Sequence, residues 1–348
     1  MTGVDWFEQL TGFREPSYDE TRARLEVRDG RLWSRIDGRS HAIGRLEMPS
    51  VAELRSRALA AAGEGRSGPA GVPLAGPMSV TNVSADVRAL HVDPANRGAL
   101  FQVASQFNLL EMVGPDVTPE HGVSRYAGDH TQGPACAVSA GAATIYRNYF
   151  APVDGVPGQT ATRQFDGLRD VGVAFGNEDG RLWTMRNGYA LCTRDGLASI
   201  EARLAAADAA QVDAWRDLLR IGVHWDVEVT PAPDESRPTV SQAFCSALPV
   251  SYTAIAPAHW RAFATLVLEG AYESTMWAAV LNAARGASRT VFLTRLGGGA
   301  FGNDEAWIHS AMRRALRKAQ GFALDVRLVS HGAVPAELRA LAAEFRPR

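Results

Sequence analysis

The feature that most constrains this chain is an alternation that begins after residue 78. Short apolar runs at 88-RALHV-92, 99-ALFQVAS-105, 225-WDVEV-229, 240-VSQAFCSA-247, 291-VFLTRL-296 and 325-DVRLVS-330 read as strands. Helical periods lie between several of them, at about 134–149, 199–220, 257–284 and 304–319. Strands that alternate with helices predict an α/β layer structure, with a mixed central sheet flanked by helices. With 348 residues the chain is long enough to bury such a core.

The stretch 62-AGEGRSGPAGVPLAGP-77 has little to pack and reads as a boundary or long connection. It separates a small α+β module, 1–75, from the larger unit, 78–348. The module is expected to hold a hairpin at Asp29-Gly30 and a helix over 51–62 begun by Ser50. The pentapeptide DGRLW occurs at 29–33 and 179–183, each time a glycine turn leading into a strand, which predicts two hairpins. Residues 151–222 interrupt the strand–helix rhythm and read as an insertion.

The segment 291-VFLTRLGGGAFGNDEAWI-308 places glycines between a strand and a helix start. Ile308, Ala311, Met312, Ala315, Leu316 and Ala319 share one face of that helix. Asn303 is the expected N-cap, with Asp304 and Glu305 in the first turn. Gly297, Gly298, Gly299 and Gly302 are able to adopt angles that expose backbone N–H groups to an anion. The same residues also make an ordinary βα turn, and Asp304 and Glu305 would repel a phosphate aimed at them. Lacking the lysine and hydroxyl of a phosphate-binding P-loop, the segment leaves both readings open.

A second polar strand end follows the run 99–105, where Ser105, Gln106 and Asn108 are delivered to the sheet edge at which open α/β sheets bind ligands. The loop beyond carries Glu120, His121, Asp129, His130, Thr131 and Gln132. Gly133-Pro134 then opens another helix, with Pro at its first position. Carboxylates at such a place serve either as general acid–base groups or as loop caps. His121 and His130 have no third His or Cys nearby, so no metal is expected. On the apolar helix 257–284, Glu269 and Glu273 lie one turn apart. Buried acids need a cationic partner or a function, which keeps Glu273 as a further catalytic candidate.

The balance of 36 basic and 38 acidic residues gives a net charge of -2 and no overall pull toward nucleic acid or an anionic membrane. No apolar stretch approaches the ~20 residues of a membrane span. The opening MTGVDWFEQL has no basic flank or apolar core, so no signal peptide is expected. Cys136, Cys192 and Cys245 are far apart and form no metal pattern, which favours reduced structural thiols in a cytoplasmic protein.

Together, 101-FQVASQFN-108, DHTQGPACA and 291-VFLTRLGGGAFGN-303 resemble a divergent macro domain, the ADP-ribose-binding α/β fold. The group most similar is the atypical macro-domain ADP-ribosylhydrolases, which includes a bacterial effector that acts on ADP-ribosylated arginine. The resemblance implies a three-layer fold and an enzyme that removes ADP-ribose from protein side chains, arginine first, without a cofactor. It implies that Asn108, with Gln106, orients the distal ribose. It gives Gly297, Gly298, Gly299, Ala300, Phe301, Gly302 and Asn303 to the phosphate and ribose loop. Thr131, Gln132 and Gly133 take the place of the first glycine-rich loop, and no Glu-Glu pair follows. Asp129 is then the first choice for the catalytic carboxylate, with Glu120 and Glu273 behind it. The alternative is a non-catalytic module that binds ADP-ribose or another nucleotide. An interaction scaffold in which the glycines only turn, and a hydrolase of ADP-ribosylated nucleic acid, stand as further rivals.

Overall fold

The computed structural model describes residues 5–65, 67–233 and 237–345. The first four residues, on which the expectation of no signal peptide partly rests, lie outside them, as does Arg66 in the glycine-rich stretch.

Seven strands form the central sheet: β1 (Arg45–Glu47), β2 (Ser79–Ser84), β3 (Leu100–Ala104), β4 (Gly222–Glu228), β5 (Thr239–Cys245), β6 (Thr290–Leu293) and β7 (Asp325–Ser330). Their spatial order is β1-β4-β5-β3-β6-β7-β2. The pairs β1–β4 and β4–β5 are antiparallel; β5–β3, β3–β6, β6–β7 and β7–β2 are parallel. The sheet is therefore mixed, as the alternating pattern predicts.

Strand residues point alternately to two faces. Leu100, Val223, Ala243, Cys245, Val291, Leu293, Val326 and Leu328 pack with the helices Arg261–Ala284 and Glu305–Ala319. Phe101, Val103, Val227, Val240, Phe244 and Phe292 face the helices Val87–Val92 and Gln132–Ser139. Burial on both faces is why these strands read as nearly continuous apolar runs. Among the described residues no helix is long and apolar enough to cross a membrane.

Several expectations are corrected. RALHV is not a strand: Val87–Val92 is a helix whose N-cap Asp86 accepts from the Arg88 N–H at 2.7 Å, with Val87, Leu90 and His91 buried. Six residues are too few to display a helical period. The helical span 134–149 is two helices, Gln132–Ser139 and Gly141–Tyr149, broken where Ala140 leaves helical angles. The span 199–220 likewise divides into Arg194–Ala206 and Ala209–Asp217, the second capped by Asp208. Asp29-Gly30 turns the hairpin Leu25–Arg28/Arg31–Ser34. The second DGRLW only leads into Trp183–Arg186, whose hairpin turn is Asn187-Gly188, both at positive φ.

Segment 1–75 does not stand apart: β1 closes one edge of the central sheet against β4. The helix Val51–Gly63, with a complete capping box at Ser50 and Glu53, packs its Val51, Leu54 and Ala58 into the main core. Residues 151–222 add two small hairpins and three helices, and none of their strands before β4 joins the sheet.

Candidate active site

The site begins with a parting of two strands. β3 stays paired with β5 as far as Ala104↔Cys245, but with β6 only at Leu100↔Val291 and Phe101↔Phe292. Beyond that point the polypeptide leaves β3 toward the helix Gln132–Ser139 on one face. It leaves β6 toward Glu305–Ala319 on the other. A crevice at the carboxyl ends of strands whose connections diverge in this way is where open α/β sheets bind ligands.

Side-chain amides complete what the parting leaves unpaired. Gln132 accepts from the Ala104 N–H and donates to the Gln102 carbonyl, both at 2.8 Å, in the manner of a neighbouring strand. Gln102 is fully buried; its amide donates to Thr275 Oγ1 at 3.0 Å and accepts from the Thr294 N–H at 3.2 Å. The cleft held open between them is partly open to solvent.

One wall is the glycine loop. Gly297 takes φ 75° and Gly302 takes φ 68°. The Asn303 N–H returns to the Gly297 carbonyl at 2.9 Å and Gly302 N–H to the Gly299 carbonyl at 3.0 Å. Gly297, Gly299, Ala300 and Phe301 line the cleft, and the backbone N–H groups of Gly299, Ala300 and Phe301 have no partner among the described residues. Free backbone N–H groups of this kind are available to an anion. A Cβ on Gly299 would meet nothing within 4 Å. Arg295 stands beside the loop, its guanidinium 2.7 Å from Glu305. The N-cap of the following helix is Asp304, which accepts from the Ala306 N–H at 2.8 Å; Asn303 is instead buried and donates to the Leu248 carbonyl at 2.8 Å. Asp304 and Glu305 are thus occupied by a cap and an ion pair. Phe301 packs with Tyr189 and Tyr252 in a three-ring cluster, centroids 5.1 to 5.5 Å apart, at the cleft wall.

The opposite wall is built by residues 104–113 and 129–134. Here the chain after β3 folds back on itself: Gln106 N–H donates to the Leu110 carbonyl at 2.9 Å, and Leu109 takes φ 65°. A left-handed leucine is strained by about 1–3 kcal/mol and persists only where its surroundings hold it. The Gln106 amide spans Met112, accepting its N–H at 2.8 Å and donating to its carbonyl at 3.2 Å. Tyr189 donates to the same carbonyl at 2.6 Å. These contacts fix Glu111, which lines the cleft at 2% exposure.

Neither carboxyl oxygen of Glu111 has a hydrogen-bond partner. Burial pushes its carboxyl up to about 8, against the pull of Arg147, whose Nη2 lies 3.6 Å away. Near neutral pH such a group carries its proton and is able to give it up, which is what a general acid requires. Its stem packs on Gly133, where a Cβ would collide with the Ala104 carbonyl oxygen and come within 3.2 Å of Glu111 Cγ.

The residues expected from sequence divide. Gln106, Thr131, Gln132, Gly133, Gly297, Gly299, Ala300, Phe301 and Asp129 come together at the cleft. Gln106 and Gln132 spend their amides on the walls. Asp129 is half-buried at the rim and accepts from the Thr131 N–H at 2.8 Å and hydroxyl at 2.7 Å. Asn108 is fully buried and does not line the cleft: it donates to Gln164 Oε1 at 2.8 Å and lies under the Gly188 turn of the insertion. Gly298, Gly302 and Asn303 belong to the loop but do not line the cleft. Glu120 is exposed away from the cleft and accepts from the Ala161 N–H at 2.9 Å. Glu273 lies on the other face of the sheet, bonded to Arg314, to Arg55 at 3.2 Å and to Trp277 Nε1 at 3.1 Å. Burial raises its carboxyl, but Arg314, Trp277 and Lys318 outweigh that and hold it below the usual range. Glu269 similarly binds Arg216 at 2.5 and 2.9 Å.

Sequence reasoning missed Glu111, Arg147, Arg295, Tyr189 and Tyr252. Glu111 did carry a signal: it is the one acid between Asp93 and Asp116, set inside 109-LLEMV-113.

No family model and no curated protein matches the chain. Solved structures similar to it include the poly(ADP-ribose) glycohydrolase of Thermomonospora curvata, at 15% identity over 94% of this chain and 97% of that one, TM-score 0.43. Another is the poly(ADP-ribose) glycohydrolase of Deinococcus radiodurans in complex with ADP-ribose, at 11% identity over 86% and 93%, TM-score 0.44. At likeness of this degree, what the chain does rests on its own residues.

Proposed function

We propose that the chain is an ADP-ribosylhydrolase, which cleaves the bond between the anomeric carbon of ADP-ribose and the group that carries it. The observation that carries this reading is the pairing across one cleft of two unlike walls. One offers the free N–H groups of Gly299, Ala300 and Phe301, with Arg295 beside them. The other offers a buried carboxyl at Glu111 that makes no hydrogen bond. A diphosphate suits the first wall and an acid-assisted glycosidic cleavage suits the second. The Phe301 and Tyr252 rings, packed with Tyr189, give the first wall apolar surface for a base or sugar.

In this reaction the Glu111 proton passes to the leaving atom as the bond to the anomeric carbon breaks, and the bonding pair stays with the leaving atom. Water then adds to the anomeric carbon and returns a proton to the Glu111 carboxylate. Pre-set dipoles of the glycine loop hold the diphosphate without reorganising, and orientation of the scissile bond supplies much of the rate. Asp129 at the rim suits a cationic leaving side chain, so an arginine linkage is the first substrate to try.

The test is release of free ADP-ribose, followed by chromatography, from proteins modified on arginine, serine or glutamate and from poly(ADP-ribose). Turnover of at least one of these, reduced about 100-fold or more by Glu111→Gln with ADP-ribose affinity retained, is the expected result. Micromolar binding of ADP-ribose with no release from any substrate would turn the reading into that of a non-catalytic binding module.

A further inference from the structure

Glu111 does not stand alone behind the cleft. Arg147, from the helix Gly141–Tyr149, is fully buried, an unusual place for a guanidinium. Its Nε donates to the carbonyl of the strained Leu109 at 3.1 Å, and its Nη2 donates to Thr144 Oγ1 at 3.1 Å. Its guanidinium carbon lies 3.8 Å over the Phe244 ring. Nη1 has no hydrogen-bond partner, and Nη2 is 3.6 Å from Glu111. A buried cation with an unspent donor, facing a buried carboxyl with two unspent acceptors, is a pair left incomplete in the resting molecule.

Resting on the hydrolase reading above, we infer that Arg147 is the positioning residue for Glu111: it receives the carboxylate that remains once the proton has gone to the leaving atom. Before the transfer the neutral carboxyl and the guanidinium stay 3.6 Å apart. As the O–H bond breaks, negative charge appears on Glu111, and the two groups then attract in surroundings that screen them little. The interaction strengthens toward the transition state, which is the condition for it to accelerate the step. Through Leu109 the same guanidinium also fixes the turn that presents Glu111.

The other titratable groups around the pair are Tyr126, Cys136, His224, Asp129 and Tyr189. Tyr126, whose hydroxyl oxygen accepts from the Glu111 N–H at 3.1 Å, and Cys136 on the helix Gln132–Ser139 are pushed well up by burial and keep their protons. His224 on β4 is buried with neither ring nitrogen bonded, and burial with nearby Arg147 holds it neutral. Asp129 and Tyr189 face the cleft from its rim and wall.

The experiment compares wild type, Arg147→Lys and Arg147→Met on two substrates: an ADP-ribosylated protein, and the ADP-ribose glycoside of 4-nitrophenol, whose leaving group needs no proton. On the protein substrate, R147M is expected to lose about 100-fold in kcat with KM within threefold, and R147K much less. On the nitrophenol glycoside both variants stay within a few fold. The alkaline limb of the R147M profile moves to higher pH, because removing the cation raises the proton affinity of Glu111. Equal losses on the two substrates, or no loss on either, would overturn the inference.

Should the wild type cleave neither substrate, the hydrolase reading falls first. Infrared titration of the Glu111 carboxyl, with Glu111→Gln as blank, then judges the pair by itself. A midpoint that rises in R147M upholds the pairing, and one that does not move refutes it. Arg147→Gln, which likewise lacks the charge, takes the place of R147M in both measurements if R147M does not fold.

Discussion

The side chain of Gln132 takes the place of a β-strand against Ala104, accepting its N–H at 2.8 Å where β6 has already turned away. The same amide donates to the Gln102 carbonyl, so two backbone groups at the floor of the cleft depend on one side chain. Gln132→Met leaves both without a partner, at about 1–3 kcal/mol for each buried group left unmade. Urea unfolding is expected to register a loss of about 2–4 kcal/mol, with weaker ADP-ribose binding at temperatures where the variant is folded. Unchanged stability would mean that β3 finds another partner.

Two glycines at the cleft should behave in opposite ways. At Gly133 a Cβ would run into the Ala104 carbonyl and crowd Glu111, so Gly133→Ala must displace the helix start. About 1–3 kcal/mol of stability is the expected loss, with a fall in turnover beyond that of the folded fraction. At Gly299 the Cβ position is open, and Gly299→Ala should leave the melting temperature nearly unchanged. Thermal melts of the pair, read beside calorimetry with ADP-ribose, check both.

Glu111 should leave a mark on stability as well as on catalysis. Its folded proton affinity is raised, from an ordinary 4.5 to about 8. The folded state therefore holds the proton more tightly than the unfolded chain. That contribution is complete below about pH 4.5 and is lost as pH rises toward 8, to at most roughly 5 kcal/mol at 1.36 kcal/mol per pH unit. Glu111→Gln removes the dependence, so its stability advantage over the wild type should grow between pH 5 and about 8. Parallel denaturation curves across that window would contradict the raised carboxyl.

Glu273 predicts the reverse sign. Against the upward push of burial, Arg314, Trp277 and Lys318 hold its carboxyl below 4.5, so its contribution is present above that pH and fades as pH falls through the lowered value. Glu273→Gln leaves buried cations short of their partner, and about 3–5 kcal/mol is the expected loss in urea unfolding. The kcat of the folded fraction should stay near that of the wild type. A large fall in kcat with stability intact would return Glu273 to the catalytic candidates.

Much of the architecture was legible because it rests on local periodicity. β7 at 325–330 and the helix 305–319 follow from patterns carried within each segment. The glycine loop was recognisable as an exposed backbone for the same reason. What lay hidden depends on partners distant in the chain. Glu111 looks like a stray acid in LLEMV until Arg147 and Tyr126 surround it. Asn108 looks like a ligand contact until Gln164 and the Gly188 turn cover it. The strand at 45–47 is three residues long, and only β4 beside it makes it part of the sheet.

The most direct measurement is a crystal structure of Glu111→Gln soaked with ADP-ribose. The expected result is a diphosphate on the N–H groups of Gly299, Ala300 and Phe301, with the anomeric carbon of the distal ribose facing residue 111. A ligand bound outside this cleft, or one with its distal ribose turned away from residue 111, would contradict the assignment of Glu111 as the acid.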